Sequence, residues 1–284
     1  MPQATPKPVA LTVGVLDPSG GTGVLADLKT FAAHDCYGVA AVAAITAQNT
    51  REIRRLQPVD KDLLGLQIQT LLEDVEVAGI KLGLFGARAQ MDAAAGCLAP
   101  HSQLPVVVDP VFRSPAGVDL LSGKDLAAFR QCMFPLARVL TPNAEEAGLL
   151  LGIPVSTLEE MKAAAKLLHE QGVRHVVITG GHLDKPADVY YEGQELEVFS
   201  GPRFESPSRH GIGCAFSSAL LANLVHGKAV RESVVLAKAY VSQAIARGYP
   251  LGAGGARLLN HLFRFAEAPS RPAPVEVLQE EPHR

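Results

Sequence analysis

The run His210-Gly211-Ile212-Gly213-Cys214 places two glycines and a cysteine directly before an apolar stretch with helical spacing. Glycines at the start of a helix leave several backbone N–H groups unobstructed, and the helix dipole adds a partial positive charge there. Such a helix start binds anions without help from a lysine. It also stabilises negative charge that develops on a phosphoryl group during transfer. The run therefore predicts a phosphate-handling site.

Cys214 falls in the first turn of that predicted helix, where the dipole lowers the pKa of a thiol. A thiolate there is expected to take the proton of a substrate hydroxyl, or at least to hold that hydroxyl in line. An isolated buried cysteine is more often a small apolar side chain, but the neighbouring glycines favour a functional role. The remaining cysteines lack this context and are interpreted as packing residues: Cys36, Cys97 and Cys132.

A second glycine-rich segment, Asp17-Pro18-Ser19-Gly20-Gly21-Thr22-Gly23, leaves a predicted strand and enters a predicted helix. Its glycines allow the backbone to approach a ligand closely, and a plain strand–turn–helix connection explains them equally well. The segment matches neither a Walker A loop nor a G-x-G-x-x-G fingerprint. Asp27, one turn into the helix, either complements the helix dipole or points back at a substrate hydroxyl.

Gln48 closes the second apolar run, within Ala47-Gln48-Asn49-Thr50. Its carboxamide offers both a donor and an acceptor, which matches the edge of an amino-substituted heteroaromatic ring. A polar turn is the alternative interpretation. Thr179-Gly180-Gly181-His182 follows a later strand, and it is either a loop kept small for a passing nucleotide or a tight turn.

Oxygen ligands for a divalent cation follow two further predicted strands. Asp109 comes directly after the strand at 105–108, where it is placed to hold Mg²⁺ through water or only to cap the turn. Asn143 and Glu146 lie three residues apart at a predicted helix start, so their oxygens can converge on one metal. Asn and Glu at this spacing also form a helix cap, and both functions are compatible.

The motifs described above can form one site only if the fold brings the ends of their strands together. Short β-type runs alternate with longer helical ones, which indicates a mostly parallel sheet covered on both faces. In such sheets ligands bind at the carboxyl ends of the strands. The predicted strands are 9–16, 39–47, 77–82, 105–108, 138–140 and 173–178, with a hairpin at 188–191 and 196–199. The predicted helices are 24–34, 60–73, 87–98, 126–134, 144–151, 157–171, 212–225 and 230–247.

Composition narrows the class of protein further. The chain has 284 residues, of which 48% are hydrophobic, and this suits one large α/β domain at 9–266 between disordered tails at 1–8 and 267–284. Its 26 basic and 29 acidic residues form no basic stripe, which argues against nucleic acid as a partner. No segment has the pattern of a signal peptide or a membrane span. The four scattered cysteines argue against zinc and fit a reducing compartment, so a cytoplasmic protein is expected.

Taken together, the segments resemble those of the hydroxymethylpyrimidine/phosphomethylpyrimidine kinases of thiamin biosynthesis, in the ribokinase superfamily. The resemblance runs from about Ala10 to Pro250 and keeps the motifs in order. It rests on Ala10-Leu11-Thr12, Asp17-Pro18-Ser19-Gly20-Gly21, Ala26-Asp27-Leu28-Lys29-Thr30, Ala47-Gln48-Asn49-Thr50, Val108-Asp109-Pro110-Val111, Thr141-Pro142-Asn143, Gly180-Gly181-His182-Leu183 and His210-Gly211-Ile212-Gly213-Cys214. It implies a ribokinase-like three-layer αβα sandwich with a mostly parallel central sheet, ATP and Mg²⁺ as cofactors, and a homodimer.

The resemblance also implies an activity and a set of site residues. The family phosphorylates the hydroxymethyl group of the aminopyrimidine and then the resulting monophosphate. Cys214 stands where most of the superfamily has a catalytic Asp, and Gly211 and Gly213 form the anion hole. The implied substrate residues are Gln48, Asp27, Gly21, Leu84 and Val111; the metal residues are Asp109, Glu146 and Asn143; the ATP residues are Thr179, Gly181, His210 and Arg209.

The chain departs from the family at phosphate-facing positions. Ile212 and Arg209 replace threonines, and Thr179 replaces a lysine. Without a hydroxyl at Ile212 the anion hole loses a hydrogen bond worth about 1 kcal/mol, for which a bidentate contact from Arg209 is expected to compensate. A further expected lysine aligns with Pro115, with Arg113 nearby. These changes bear on rate and donor preference more than on fold.

Two alternatives remain at this point. One is a pyridoxal/pyridoxine kinase on the same scaffold: Thr179 favours it, whereas Gln48 in Ala-Gln-Asn-Thr favours the pyrimidine. The other is a catalytically weak relative that binds the pyrimidine or its phosphate, which the altered anion hole suggests.

Overall fold

A computed structural model of the chain describes residues 6–113, 119–121, 123–181, 183, 186–202, 210–252 and 257–265. Its strands are β1 (Val9–Leu16), β2 (Tyr37–Gln48), β3 (Ile53–Pro58), β4 (Val77–Leu82), β5 (Val106–Val108), β6 (Val139–Leu140), β7 (His175–Ile178), β8 (Ala187–Tyr191), β9 (Leu196–Ser200), β10 (Tyr249–Pro250) and β11 (Arg257–Leu258). Its helices are α1 (Gly23–Ala33), α2 (Lys61–Asp74), α3 (Arg88–Leu98), α4 (Gly123–Met133), α5 (Ala144–Leu151), α6 (Leu158–Glu170), α7 (Ile212–Val225) and α8 (Val230–Ala246), with a 3₁₀ turn at Ala99–His101.

Nine of these strands form one sheet in the order β3-β2-β1-β4-β5-β6-β7-β8-β9. The six strands from β2 to β7 are parallel, and β3, β8 and β9 add antiparallel edges. The prediction of a mostly parallel sheet is confirmed. After β1 the chain moves first to one side, to β2, and later to the other side, to β4. Ligands of open α/β sheets bind at such a reversal, outside the carboxyl ends of the strands.

Helices cover both faces of the sheet. One apolar core lies against α2 to α6, and the other lies against α1, α7 and α8. Because β5 is covered on both faces, all three of its valines are buried. The helix α7 is buried almost all round, from Ala215 to Ala222. These layers confirm the αβα sandwich.

The predicted elements agree with most of the structure, but the edge strand β3 and the short antiparallel pair β10–β11 were not predicted. The bounds of β1, β4, α5 and α7 match those predicted. The strand β3 was not predicted, because Arg54, Arg55 and Gln57 give this exposed edge strand little apolar character. Of the predicted tails, residues 1–5 and 267–284 lie outside the described residues. Pro8, in the N-terminal one, already accepts a backbone hydrogen bond from Tyr37.

Two buried histidines on the α1–α8 side link stability to pH. Burial lowers the pKa of both His34 and His261 from 6.5 to about 4. Nδ1 of His261 lies 3.1 Å from the Thr30 hydroxyl oxygen and 3.3 Å from that of Tyr240. As pH falls, unfolded histidines take up a proton first, so the unfolded state binds more protons than the folded state between pH 6.5 and 4. The free energy that these two histidines contribute is present above this window and is lost as pH falls through it.

Replacing His261 with glutamine is expected to reduce the loss of stability between pH 6.5 and 4. The reduction is at most about 3 kcal/mol, because one pKa unit corresponds to about 1.4 kcal/mol. Urea unfolding of the variant and the wild type at the two pH values measures it. An identical loss in both proteins would show that His261 is not the group that titrates.

Candidate active site

A cavity of about 1050 Å³ opens at the carboxyl ends of the parallel strands. Its walls come from the segments after β1, β2, β4, β5, β6 and β7, from the first turn of α7 and from one face of α8. The position is the strand-order reversal at which the topology predicts a ligand site. The predicted site residues that line it are Asp27, Gln48, Leu84, Asp109, Val111, Asn143, Glu146, Thr179, Gly181, Gly211, Gly213 and Cys214.

Two predicted site residues, Gly21 and His210, are not among those that line the cavity. Nε2 of His210 lies 3.4 Å from Nε2 of Gln48, and the His210 ring packs against Gly21, where an added Cβ would come within 2.8 Å of it. Gly21 and His210 thus stand beside Gln48 at the end of the cavity away from Thr179. Arg209 lies outside the residues that the structure describes, as do Pro115 and His182.

The glycine-rich segment after β1 is folded around a buried carboxylate. Asp17 is 0% exposed and accepts hydrogen bonds from the backbone N–H and the hydroxyl of both Ser19 and Thr22, at 2.8 to 3.0 Å. Gly23 has a φ of +59°, and a Cβ there would lie 2.1 Å from the carbonyl oxygen of Val15. Its N–H lies near the sulfur of Cys214 and lowers the pKa of that thiol. The segment therefore connects β1 to α1 and also supports the cavity.

The first turn of α7 has the geometry that its glycines predict. Gly211 caps the helix with a φ of +79°, and a Cβ there would lie only 2.1 Å from the carbonyl oxygen of Gly21. The first intrahelical bond runs from the N–H of Ala215 to the oxygen of Gly211. Helical geometry leaves the N–H groups of Ile212, Gly213 and Cys214 without intrahelical acceptors. This end of α7 lines the cavity and suits an anion.

The expectation of a lowered pKa at Cys214 is wrong. Burial raises the pKa of its thiol from 9.0 to about 12. The ammonium of Lys81 and the N–H of Gly23 lower the pKa, while the carboxylates of Asp109 and Asp27 raise it further. At neutral pH Cys214 is therefore a thiol, which can donate a hydrogen bond and orient a hydroxyl group.

A buried lysine lies under the same turn. Lys81, in β4, is 1% exposed; its Nζ lies 3.0 and 3.1 Å from the two carboxylate oxygens of Asp27 and 3.5 Å from Oδ2 of Asp109. Lys81 is not among the site residues predicted from the sequence. The available signal was a lysine inside the apolar run Ile80-Lys81-Leu82, since a buried lysine requires a charged partner.

Asp27 is the centre of a buried hydrogen-bond network that the sequence did not indicate. It is 0% exposed, and its carboxylate accepts hydrogen bonds from the Thr12 and Ser218 hydroxyls at 2.6 and 2.8 Å in addition to Lys81. These contacts join α1 to β1, β4 and α7. A contact between Asp27 and a substrate stays a prediction.

A further carboxyl, that of Glu146, lies near Asp109. The capping box predicted for Asn143 and Glu146 is present, with N···O distances of 2.8 and 2.9 Å. Burial and the nearby charge of Asp109 raise the pKa of Glu146 well above its ordinary value. Burial also raises the pKa of Asp109, against the effect of Lys81. A buried carboxyl such as Asp109 with a half-buried one beside it is costly unless a cation is near.

Asp109 and Glu146 fit an Mg²⁺ ion that takes its other ligands from water and phosphate. Within the described ranges, no group of three or more His, Cys, Asp or Glu side chains is arranged to hold a metal ion. Mg²⁺ commonly keeps several waters and binds through one or two carboxylates plus phosphate oxygens. Asp109 and Glu146 supply carboxylates of that kind beside the start of α7.

The lysine Lys238 lines the cavity near Thr179. Lys238, in α8, donates to Oδ2 of Asp188 at 2.6 Å, and the N–H of Gly180 donates to Oδ1 of Asp188 at 3.1 Å. Lys238 is therefore fixed next to the loop in which Thr179 replaces the family's lysine. Lys238 is also not among the site residues predicted from the sequence, because nothing in α8 indicates its partner in β8.

Arg113 is located at the rim of the cavity. Its guanidinium donates to Asp119 and to Glu145, each at 2.6 Å. With 42% of its side chain exposed, it contributes a surface charge rather than a buried one. It is the described residue closest in sequence to the expected lysine position at Pro115.

The cavity at the strand reversal, the anion-binding start of α7 and the adjacent carboxyls of Asp109 and Glu146 define the class of the protein: a small-molecule phosphotransferase on a ribokinase-like α/β fold. Comparison with known sequences then gives the family. The chain belongs to the phosphomethylpyrimidine kinase family, whose model matches residues 17–258.

Curated relatives divide between two substrate names. The chain is 32% identical to the hydroxymethylpyrimidine/phosphomethylpyrimidine kinase of Aquifex aeolicus, over 87% of this chain and 97% of that one. It is 36% identical to the pyridoxine kinase of Bacillus subtilis, over 85% and 92%. It is 35% identical, over 94% of its length, to the thiamine biosynthesis bifunctional protein ThiED of Geobacter sulfurreducens, and it spans 54% of that longer protein.

Solved structures support the same branch. Bacillus subtilis pyridoxal kinase in an ADP complex has a TM-score of 0.83 and 34% identity, covering 90% of this chain and 98% of that one. Staphylococcus aureus pyridoxal kinase in complex with AMP-PCP has a TM-score of 0.83 and 32% identity, covering 91% and 94%. The protein is thus a kinase of the ATP-dependent branch that contains pyrimidine and pyridoxal kinases, and its substrate is a small vitamin precursor. No helix in the described residues has the length and apolar character to cross a membrane.

Proposed function

We propose that the protein phosphorylates the hydroxymethyl group of 4-amino-5-hydroxymethyl-2-methylpyrimidine and then its monophosphate, with ATP as donor, in thiamin biosynthesis. The observation that carries this proposal is that Gln48 and the start of α7 line one cavity. The Gln48 carboxamide offers a donor and an acceptor to an aminopyrimidine edge, and the helix start offers N–H groups to a phosphoryl group. We further propose a cytoplasmic homodimer.

The pyrimidine ring is proposed to lie between Gln48 and the apolar side chains of Leu84 and Val111, with its hydroxymethyl group toward Cys214. The family resemblance implies that His210 binds the nucleotide. Its contact with Gln48 favours instead a position at the substrate end of the cavity. Thr179 and Gly181, with Arg209, remain the proposed residues for ATP. ADP and AMP-PCP bound in the homologous kinases support the nucleotide as donor.

In the transfer step the substrate hydroxyl oxygen forms a bond to the γ-phosphorus while the bond from that phosphorus to the leaving diphosphate oxygen breaks. The hydroxyl proton moves to an oxygen of the transferred phosphoryl group and from there to water. The N–H groups of Gly213 and Cys214 stabilise the charge on the transferring group. The Cys214 thiol orients the attacking hydroxyl. Asp109 and Glu146, with Asn143, would hold Mg²⁺, which supplies charge neutralisation of the phosphates when bound.

Steady-state kinetics with ATP, Mg²⁺ and each vitamer tests this function. The pyrimidine alcohol and its monophosphate are both expected to be phosphorylated, with kcat/KM at least about tenfold above that for pyridoxal, a difference of about 1.4 kcal/mol. A reversed preference would assign the second candidate, pyridoxal kinase, which the pyridoxal kinase structures and Thr179 favour. Binding of the pyrimidine without transfer to any vitamer would exclude a kinase function.

Replacing Gln48 with alanine is expected to raise the KM for the pyrimidine about tenfold and to leave kcat within about twofold. The reason is that one or two hydrogen bonds to the ring edge are lost while the start of α7 is untouched. Gln103→Ala, an exposed glutamine before β5 at the opposite end of the sheet, is the matched control and is expected to behave as wild type. An unchanged KM in Gln48→Ala would place ring recognition elsewhere.

A further inference from the structure

Lys81 is unusual among the charged residues of this protein, because its ammonium is enclosed by protein. It is 1% exposed, and the side chains of Asp27 and Asp109 that it contacts are 1% and 4% exposed. Lysine is almost never buried to this degree without a paired charge. Placing such a group in a strand is costly, so its position directly below the proposed reaction centre requires an explanation.

The contacts of Lys81 reach most of the elements that build the site. It lies in β4 and holds both oxygens of Asp27 from α1. It also approaches Asp109, which follows β5. Consecutive serines of α7 contact the same two carboxylates: Ser217 donates to Asp109 at 3.0 Å and Ser218 to Asp27 at 2.8 Å.

These contacts fix the first turn of α7 over the floor of the cavity. The helix is fastened to two carboxylates, and one ammonium lies against both of them. A Cβ built on Gly213 would lie 3.8 Å from Oδ1 of Asp109, so the anion-binding N–H groups and this carboxylate are close neighbours. Movement of either carboxylate therefore moves the N–H groups that would receive the phosphoryl group.

The charges in this cluster are unequal. Two carboxylates and one ammonium carry a formal charge of minus one in a buried place. Without the ammonium, two like charges would face each other and would also face any phosphate at the start of α7. Such repulsion is large where water is excluded.

We propose that Lys81 is a positioning residue for phosphoryl transfer: it holds Asp27 and Asp109 in place beneath the start of α7 and balances their charge at the reaction centre. It acts through these carboxylates and Cys214 and does not touch the substrate. This inference rests on the proposed function, since it presumes transfer at this turn.

The test is a mutant cycle built from Lys81→Met, Asp27→Asn and the double variant. The double variant keeps the cluster's formal charge at minus one, so it is expected to fold where Lys81→Met alone leaves two unbalanced carboxylates. Lys166→Met, on the exposed face of α6, is the matched control and is expected to retain wild-type kinetics. Thermal unfolding, steady-state kinetics with the vitamer that the wild type prefers, and calorimetric binding of that vitamer without nucleotide are measured for each protein.

In the double variant, kcat is expected to fall about 100-fold, the effect of losing one preorganised charge at a reaction centre. The affinity for the vitamer is expected to stay within about threefold of wild type. The Asp27→Asn single variant is expected to lose less than the double variant, because Lys81 still contacts Asp109.

Two results would overturn the inference. A folded double variant with wild-type kcat would show that Lys81 only neutralises Asp27 in the core. A loss of vitamer affinity as large as the loss of kcat would show that the cluster serves substrate binding, through the predicted contact of Asp27 or through the shape of the pocket, and not the transfer step. Both results require a wild type that transfers phosphate to a vitamer, so the absence of wild-type transfer overturns the proposed function separately.

Discussion

Replacing Cys214 with alanine is expected to lower kcat by about 100-fold or more and to leave vitamer affinity within about threefold. The sulfur occupies the first turn of α7 and lies near the N–H of Gly23 and the charges of Lys81 and Asp109. A group in this position contributes to the transition state, whereas ring binding depends on Gln48 at the other end of the pocket. The magnitude is that of removing one well-placed catalytic group.

Steady-state kinetics and calorimetric binding measure the effect, with Cys132→Ala as the control. Cys132, in α4, donates to Asp92 of the neighbouring helix α3. Because this contact is away from the cavity, Cys132→Ala is expected to keep kcat within about twofold of wild type. Wild-type turnover in Cys214→Ala would remove this thiol from the reaction.

Cys214→Ser separates the two roles that the sequence allowed. Because burial raises the thiol pKa to about 12, a resting thiolate is absent at neutral pH, and the thiol acts by hydrogen bonding. Serine preserves a hydrogen-bond donor of similar size, so this variant is expected to keep about ten times the kcat of Cys214→Ala. Equal kcat values in the two variants would instead indicate that sulfur serves as the base.

Replacing Gly211 with alanine is expected to destabilise the protein by about 2–4 kcal/mol and to lower kcat at least 100-fold. The left-handed backbone of Gly211 disfavours any side chain, by about 1–2 kcal/mol. The added Cβ would also lie 2.1 Å from the carbonyl oxygen of Gly21, so the backbone must shift. The shift displaces the N–H groups of the first turn, so that they no longer point at the phosphoryl group.

Gly213→Ala is the matched control for this substitution. Its Cβ meets nothing closer than Oδ1 of Asp109 at 3.8 Å, so its free energy of unfolding is expected to stay within about 0.5 kcal/mol of wild type. Its methyl group nevertheless projects beside the anion site, so its activity is expected to fall. Urea unfolding with steady-state kinetics compares the two variants. Equal stability of the two would show that contact with Gly21 does not fix the turn.

Much of the fold could be predicted because apolar runs and helical spacing are local signals. The strands β1 and β4 are buried, so their composition alone marks their bounds. The edge strand β3 owes its state to pairing with β2 and carries arginines toward the surface. An edge strand of this kind has no strong pattern of its own.

The same distinction between local and long-range signals applies to the site residues. The motifs at the strand ends could be found individually, and parallel topology brings them to one edge of the sheet. Pairings across long sequence separations could not be found: Lys81 meets Asp27 from 54 residues away, and Lys238 meets Asp188 from 50. The pKa of Cys214 was predicted in the wrong direction for the same reason, because its burial and the carboxylates near it come from other elements.

The closed loop around Asp17 has a consequence for the thermodynamics of binding. Four hydrogen bonds to one buried carboxylate fix the chain from Ser19 to Thr22, and this segment supports both Gly211 and Cys214. A phosphate that arrives at α7 therefore meets a surface that is already ordered. Little conformational entropy remains to be lost at this place, since ordering a flexible residue costs about 1–2 kcal/mol. The binding energy of the phosphate is thus available for stabilising the transition state instead of for folding a loop.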